Sequence, residues 1–386
     1  MPRNWYRYAF YLLIFATGLS FSLVGAALPD ITTLYGLTKT EASTLPFLQF
    51  IGAYGGLALL ALTTSRSRLL LAAAAMVQCL AALYIALVPG YTMGLKASFF
   101  LFGAAGNVIV PLTGMIITRV GDGGAARDLN VHYGFFSAGV MVAPLYSGLL
   151  FNHGFHYGPS YMVFAGIAFT AFIATLPSSI PSVSIGARLT GETLRTAFAS
   201  HGKFLTVILI VNILYVSAES IPSTWIPKYF TDIFPEYSSF RTRLVLSLFW
   251  GAVTVGRYIC ALLLHRGVKP VPLMIILSGT ASICLFTAAS ASKGLTAEVL
   301  FAVLGLFFSG MFPIIASSFE RLPDRYTGMS FVLLIATGMM GASSVSKLSG
   351  YIADHAGFPL AMKTGSILLV LILVVLFVRG RESARL

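Results

Sequence analysis

Asn212-Ile-Leu-Tyr215-Val-Ser-Ala-Glu219-Ser-Ile-Pro222-Ser223-Thr-Trp225 lies inside an apolar run long enough to cross a bilayer, yet it carries an amide, a phenol, a carboxylate and a proline. Asn212, Tyr215, Glu219 and Ser223 fall at i, i+3, i+7 and i+11, which gathers them on one helical face. An ionisable group at membrane depth is costly unless it faces protein or a water-filled cavity. The stretch therefore predicts a membrane-spanning helix with a working face. Glu219 has three readings: a proton or cation site, an acceptor for solute hydroxyls, or half of a structural ion pair.

The rest of the chain has the same character. It is 57% hydrophobic and 10% charged, with a mean hydropathy of +0.86, outside the range of water-soluble domains. Its 386 residues accommodate about twelve spans of roughly 20–24 residues at the thickness of a bilayer. Barrel strands would need alternating segments of about ten residues, and the sequence has none. The spans are predicted at Tyr8–Leu28, Glu41–Leu62, Arg68–Val88, Leu95–Ile117, Leu129–Phe151, Ser160–Leu176, Phe204–Ile226, Arg243–Leu264, Val271–Ala289, Ala297–Phe319, Thr327–Ile352 and Leu360–Val378. Between the sixth and seventh lies Pro177–Lys203, the longest non-apolar stretch. Arg3 and Arg7 before an apolar run ending Val-Gly-Ala-Ala27 imitate a signal peptide, but the run exceeds the ~7–15 residues of a signal core and reads as a retained first span.

The net charge of +12 is spread in ones and twos between apolar runs. The positive-inside rule produces that distribution; a nucleic-acid surface would cluster the charge, and no nucleic-acid partner is expected. Basic residues concentrate in the segments on the same side as the termini, which predicts both termini in the cytoplasm and a bacterial inner or plasma membrane location. Cys79, Cys260 and Cys284 sit in apolar runs without ligand spacing, so neither disulfide nor metal is expected. The chain has no G-x-S-x-G elbow and no Walker-type loop, so an enzyme or ATP-driven pump is not supported and no cofactor is expected.

The two halves repeat each other at an offset of about 200 residues. Phe50-Ile-Gly52-Ala53 in the second span matches Phe249-Trp-Gly251-Ala252 in the eighth. The Gly103–Pro111 spacing of the fourth returns as Gly305–Pro313 in the tenth, and Gly139 with Ser147-Gly148 in the fifth returns as Gly341 with Ser349-Gly350 in the eleventh. The fold class predicted is thus an all-α polytopic membrane protein of twelve transmembrane helices in two pseudo-symmetric six-helix bundles. Residues 1–176 form the first bundle, 177–203 a cytoplasmic linker and 204–386 the second. Paired hydrophobic repeats mark many secondary transporters, with the site near the midplane between the repeats.

These features resemble the major facilitator superfamily over nearly the whole length. The resemblance is carried by Ala27-Leu-Pro-Asp30 ending the first span, the glycine–proline pattern of the fourth and tenth, and Phe249-Trp-Gly-Ala-Val-Thr-Val-Gly256-Arg257. The last is similar to the second-half copy of the family's loop signature; the first-half copy is reduced to Thr63-Thr-Ser-Arg66-Ser-Arg68 and lacks the acidic residue. Leu129-Asn130-Val-His132 with Gly134, Gly139 and Pro144, and Tyr215-Val-Ser-Ala-Glu219 with Trp225, resemble the fucose/glucose-type sugar symporter branch. That branch places carboxylates in the middle of its first and fourth helices, where this chain has Asp30 at a helix end and Asn107.

The resemblance implies alternating access around a central site and a small polar solute, a sugar or sugar-like compound first and an organic anion second, coupled to H⁺ or Na⁺ through Glu219. Substrate-binding candidates are Glu219, Tyr215, Asn212, Asn107, Trp225 and Gln49; coupling or gating candidates are Glu219, Lys347, Arg257, His132 and Asn130. Lys347, inside the eleventh span, either pairs with Glu219 as a gate or snorkels to the surface. Arg257, in the loop signature, reads as a helix-end contact that serves gating. His132 and Asn130 lie near the membrane boundary, where hydration alone accommodates them. Trp225 stacks on a ring solute or joins an interfacial belt. Gln49 and Gln78 also suit interhelical hydrogen bonds. An exporter of drug-like or lipid-like compounds and a non-transporting receptor are the competing readings; the expected partners are a solute and the lipid bilayer, with the protein acting as a monomer.

Overall fold

Proline and glycine punctuate this chain and decide where its helices stop, kink or touch. The computed structural model describes residues 6–62, 67–120, 125–176, 191–319, 322–323 and 326–383, and no strand occurs among them. The first bundle comprises α1 (Tyr6–Leu34), the one-turn α2 (Lys39–Ala42), α3 (Thr44–Leu62), α4 (Ser67–Leu87), α5 (Met93–Val120), α6 (Ala125–Asn152) and α7 (Tyr157–Thr175). The second comprises α8 (Gly191–Ile233), α9 (Ser239–His265), α10 (Pro270–Ser290), α11 (Gly294–Phe308), α12 (Met311–Ser318), α13 (Thr327–Ala356) and α14 (Phe358–Ser383). Twelve spans among the described residues are long and apolar enough to cross a membrane, α2–α3 and α11–α12 each counting as one. An even number of crossings puts both chain ends on one face, the terminal face; the other is the distal face.

Helix neighbours repeat between the bundles. In the first, α1 packs on α6, α3 on α5 and α4 on α7; in the second, α8 packs on α13, α9 on α11 and α10 on α14. The glycines that marked the repeat are the contact points. A Cβ added at Gly103 of α5 would run into the Gln49 carbonyl of α3, and one at Gly305 of α11 into the Phe249 carbonyl of α9. Likewise Gly139 of α6 meets the Phe15 carbonyl of α1, and Gly341 of α13 the Ile213 carbonyl of α8. With no apolar driving force between helices in lipid, backbones must approach this closely to gain dispersion energy.

Three predicted boundaries shift. The first span runs on to Leu34 through Pro29, so Asp30 lies within a helix and not at its end. The tenth span breaks at Ser309–Gly310 into α11 and α12, because Pro313 has no N–H to bond the Ser309 carbonyl. From Gly191 the predicted linker is helical and is merged with the seventh span across a kink at His201 (φ −131°, ψ 20°); residues 177–190 of that linker lie outside the described residues.

The bundles meet along α1 on α8, α3 on α13 and α6 on α9. Polar contacts join them at the distal face. Asp354 of α13 accepts the backbone N–H groups of Lys39 (2.8 Å) and Thr40 (2.7 Å) at the N-terminus of α2. Lys347 of α13 donates to Thr44 Oγ1 (2.5 Å) and the Thr40 carbonyl (3.3 Å). Arg243 of α9, only 2% exposed, donates to the Ala26 carbonyl of α1 (2.8 Å) and to its own Ser239 carbonyl (2.9 Å). Its guanidinium also lies 3.7 Å from the Phe151 ring centroid and within electrostatic reach of Asp30. A buried arginine is tolerable only when its donors are met in this way.

Candidate functional site

The polar face of α8 packs against its own bundle, on α11, α12 and α13. Tyr215 and Glu219, four residues apart and hence adjacent on the helix, are joined by a 2.5 Å hydrogen bond from the phenol to Oε1. Glu219 is half-buried, while Tyr215 is buried against the rings of Phe308 and Phe312 on α11 and α12. One turn earlier, Asn212 donates through Nδ2 to the Leu334 carbonyl (2.8 Å) and Thr337 Oγ1 (3.0 Å), both on α13. Its Oδ1 is buried without a hydrogen-bond partner.

Arg257 of α9 completes the cluster. Its guanidinium is within electrostatic reach of Glu219, Tyr215 and Tyr133. One nitrogen, Nη1, donates to Ser137 Oγ of α6 at 2.7 Å, across the seam between the bundles, while Nε is buried and unpartnered. No direct ion pair with Glu219 forms among the described residues. On the first bundle's side of the seam lies an aromatic wall: Phe21 packs with Phe50, Phe136 and, across the seam, Trp250 at ring separations of 5.9–6.2 Å. A carboxylate–phenol pair, a guanidinium and an aromatic wall at the junction of two bundles can bind a polar solute and exchange a proton.

The remaining sequence candidates are distributed differently. Lys347 points to Thr44 and Thr40 at the distal face, away from Glu219. Trp225 is 1% exposed; its Nε1–H donates to Ser349 Oγ (2.9 Å) and its ring packs edge-on to Phe358, so it belongs to helix packing, neither to the solute site nor to an interfacial belt. Gln49 donates to the Ser20 carbonyl (3.2 Å) inside the first bundle and is likewise a packing residue. Asn107, half-buried, reaches only its own helix at Gly103 O (3.3 Å). His132 is fully buried between α5 and α6, with Nε2 3.1 Å from Thr113 Oγ1, which replaces the hydrated boundary position expected for it. The Asn130 side chain lies outside the described residues. Arg257, expected at a helix end, lies within α9, in electrostatic reach of Glu219 and bonded to Ser137 across the seam.

Sequence reasoning missed Ser137, Tyr133, Trp250 and Thr337. Tyr133 and Ser137 share a face of the fifth span at i and i+4, a weak signal that becomes informative only once Arg257 is opposite.

Residues 10–343 match the family model of the Major Facilitator Superfamily. The chain belongs to that superfamily. Among Major Facilitator Superfamily structures, that of a point mutant of the nucleoside transporter NupG superposes with a TM-score of 0.77 at 14% identity, covering 97% of this chain and 99% of that one. A point mutant of the E. coli fucose:proton symporter gives 0.65 at 16% identity over 98% and 99% of the two chains. At such identities the likeness shows the fold, and the lower score of the fucose symporter does not single out its branch. A curated relative, "Protein TsgA homolog" of Buchnera aphidicola subsp. Schizaphis graminum, is 21% identical over 278 residues, 71% of this chain and 70% of its own length. The chain is accordingly a twelve-helix secondary transporter of this superfamily.

Proposed function

We propose that the protein carries a small polar solute, sugar-like in size and hydroxylation, across a bacterial inner membrane by alternating access, with a proton carried on Glu219. The observation that supports this most directly is the Tyr215–Glu219 hydrogen bond within electrostatic reach of Arg257, whose guanidinium bridges to Ser137 of the other bundle. A carboxylate in that position feels both the solute and the relative position of the two bundles, which is what coupling requires. The likeness of the fold to a D-xylose-proton symporter and a fucose:proton symporter is in keeping with this reading. The termini lie in the cytoplasm, the closed distal face is then the outer one, and the monomer is the working unit.

The test is uptake into proteoliposomes with and without an imposed proton gradient. Glu219→Gln keeps the hydrogen-bonding shape but holds no exchangeable charge; it abolishes gradient-driven accumulation and leaves solute exchange measurable. Undiminished accumulation by this variant removes Glu219 from coupling. The aromatic wall of Phe21, Phe50 and Phe136 favours a second reading, an exporter of drug-like compounds; proton-driven extrusion of hydrophobic amines, with no sugar or acid transported, would identify it.

A further inference from the structure

Arg243, Ser247, Trp250, Thr254 and Arg257 recur along α9 at i, i+4, i+7, i+11 and i+14, a single stripe of that helix. Three of them touch the other bundle: Arg243 bonds the Ala26 carbonyl, Trp250 packs edge-on to Phe21, and Arg257 bonds Ser137. The stripe therefore faces the seam. Along it are three polar groups that are buried and have no hydrogen-bond partner: Ser247 Oγ, Trp250 Nε1 and Arg257 Nε. Trp250 is 4% exposed and Ser247 5%. The indole and guanidinium nitrogens can only donate. Buried donors left unmet are destabilising, and native proteins rarely keep several together without a reason.

We infer that this row of donors is the recognition element for an anionic, acceptor-rich solute: a hydroxylated monocarboxylate, with its carboxylate at Arg257 and its oxygens running toward Trp250 and Ser247. This rests on the transporter reading above and narrows its substrate class. Arg257 and Trp250 are seven residues apart, about 10 Å along the helix axis, the reach of an extended sugar acid. The charges agree as well. With a proton on Glu219, Arg257 is left as the uncompensated charge of the cluster, so that one monoanion neutralises it and the proton and the anion are loaded together. Arginine is the side chain best shaped for a carboxylate. The aromatic wall opposite offers the carbon backbone of such a solute an apolar surface.

The test is thermal stabilisation of the purified full-length protein by gluconate and galacturonate, against glucose and galactose, at constant ionic strength set with sodium chloride. The two acids raise Tm saturably and the two neutral sugars do not. Trp250→Phe keeps the ring and removes the N–H; it weakens apparent gluconate affinity roughly fivefold, the worth of one hydrogen bond to a neutral hydroxyl. Arg257→Gln removes the response to both acids, and Trp250→Phe serves as the second probe should that variant fold poorly. Equal or better stabilisation by the neutral sugars, no response to any of the four, or unchanged gluconate affinity in Trp250→Phe overturns the inference. Proton-driven flux of a neutral sugar, with the acids inert, overturns it while retaining the transporter; acid binding without any flux does the reverse.

Discussion

Asp354 of the second bundle accepts both the backbone N–H (2.7 Å) and the hydroxyl (2.6 Å) of Thr40 in the first, residues separated by most of the chain. Thr40 belongs to the first turn of α2, whose N-terminal amides have no partner within the helix and attract negative charge. Thr38 and Glu41 already form a capping box on that turn, so Asp354 acts as its second cap, supplied from the other bundle. Lys39 adds longer contacts to Asp354 (4.0 Å) and Asp232 (3.7 Å). The distal closure is thus fastened to a helix terminus.

Asp354→Ala is expected to loosen that closure. Charge-assisted hydrogen bonds contribute about 2 kcal/mol, which shifts a closed-to-open ratio about thirtyfold. Spin labels at the exposed distal positions Leu34 and His355 report it: the distance distribution broadens toward longer values in the variant. An unchanged distribution would show that α3–α13 and α1–α8 packing alone holds the face shut.

Lys347 and Glu219 belong to separate networks, one fastened to Thr44 and the other to Tyr215. A double-mutant cycle on transport with Lys347→Ala and Glu219→Gln should therefore be additive within about 0.5 kcal/mol. A larger coupling would mean that the two charges meet at another stage of the cycle.

Tyr215→Phe separates packing from polarity at the same place. The ring still fills the space against Phe308 and Phe312, so the melting temperature changes little. Loss of the phenol deprives Glu219 of its donor, and proton-driven uptake falls while solute binding persists. Uptake at the parental rate would show that this hydrogen bond has no part in coupling.

Gly103→Ala and Gly305→Ala test the repeat. Each new methyl meets a backbone carbonyl across a helix pair, and overpacking of this kind costs about 1–3 kcal/mol. Both should lower Tm and folded yield to similar extents, whereas Gly166→Ala, with open space at its Cβ, should leave them unchanged. Unequal losses at the two positions would show that the bundles pack less alike than their glycines indicate.

Much of this architecture is legible in the sequence because lipid removes alternatives. A run such as Leu360–Val378 must be a spanning helix, since nothing else satisfies its backbone in hydrocarbon. Recurrent Gly103/Gly305 and Gly139/Gly341 expose the two-fold repeat because close approach has no other residue to use. Side-chain destinations are another matter. Arg243 reads as the polar edge of a span, because hydropathy does not distinguish an arginine in headgroups from one whose donors end on the Ala26 carbonyl. Arg257 is drawn to a helix end by the local string it sits in, while its partner Ser137 comes from a distant helix. Lys347 and Glu219 suggest a pair because they are opposite charges at similar depth, and depth says nothing about azimuth. Periodicity fixes which residues share a face; the face's neighbour is decided by packing between elements far apart in the chain.

Helix α9 is held to the other bundle at two separate points. Arg243 ties its distal end to α1, and Arg257, further along the helix, ties it to α6. A rod pinned twice cannot slide along its own axis without breaking both pins. It can tilt by releasing one. In the proposed alternating-access cycle, opening the distal face would release Arg243 and leave Ser137 as the fulcrum, so that the lever would turn about Arg257. Whatever occupied that point would be moved least by the swing yet would change which side of the membrane it can see.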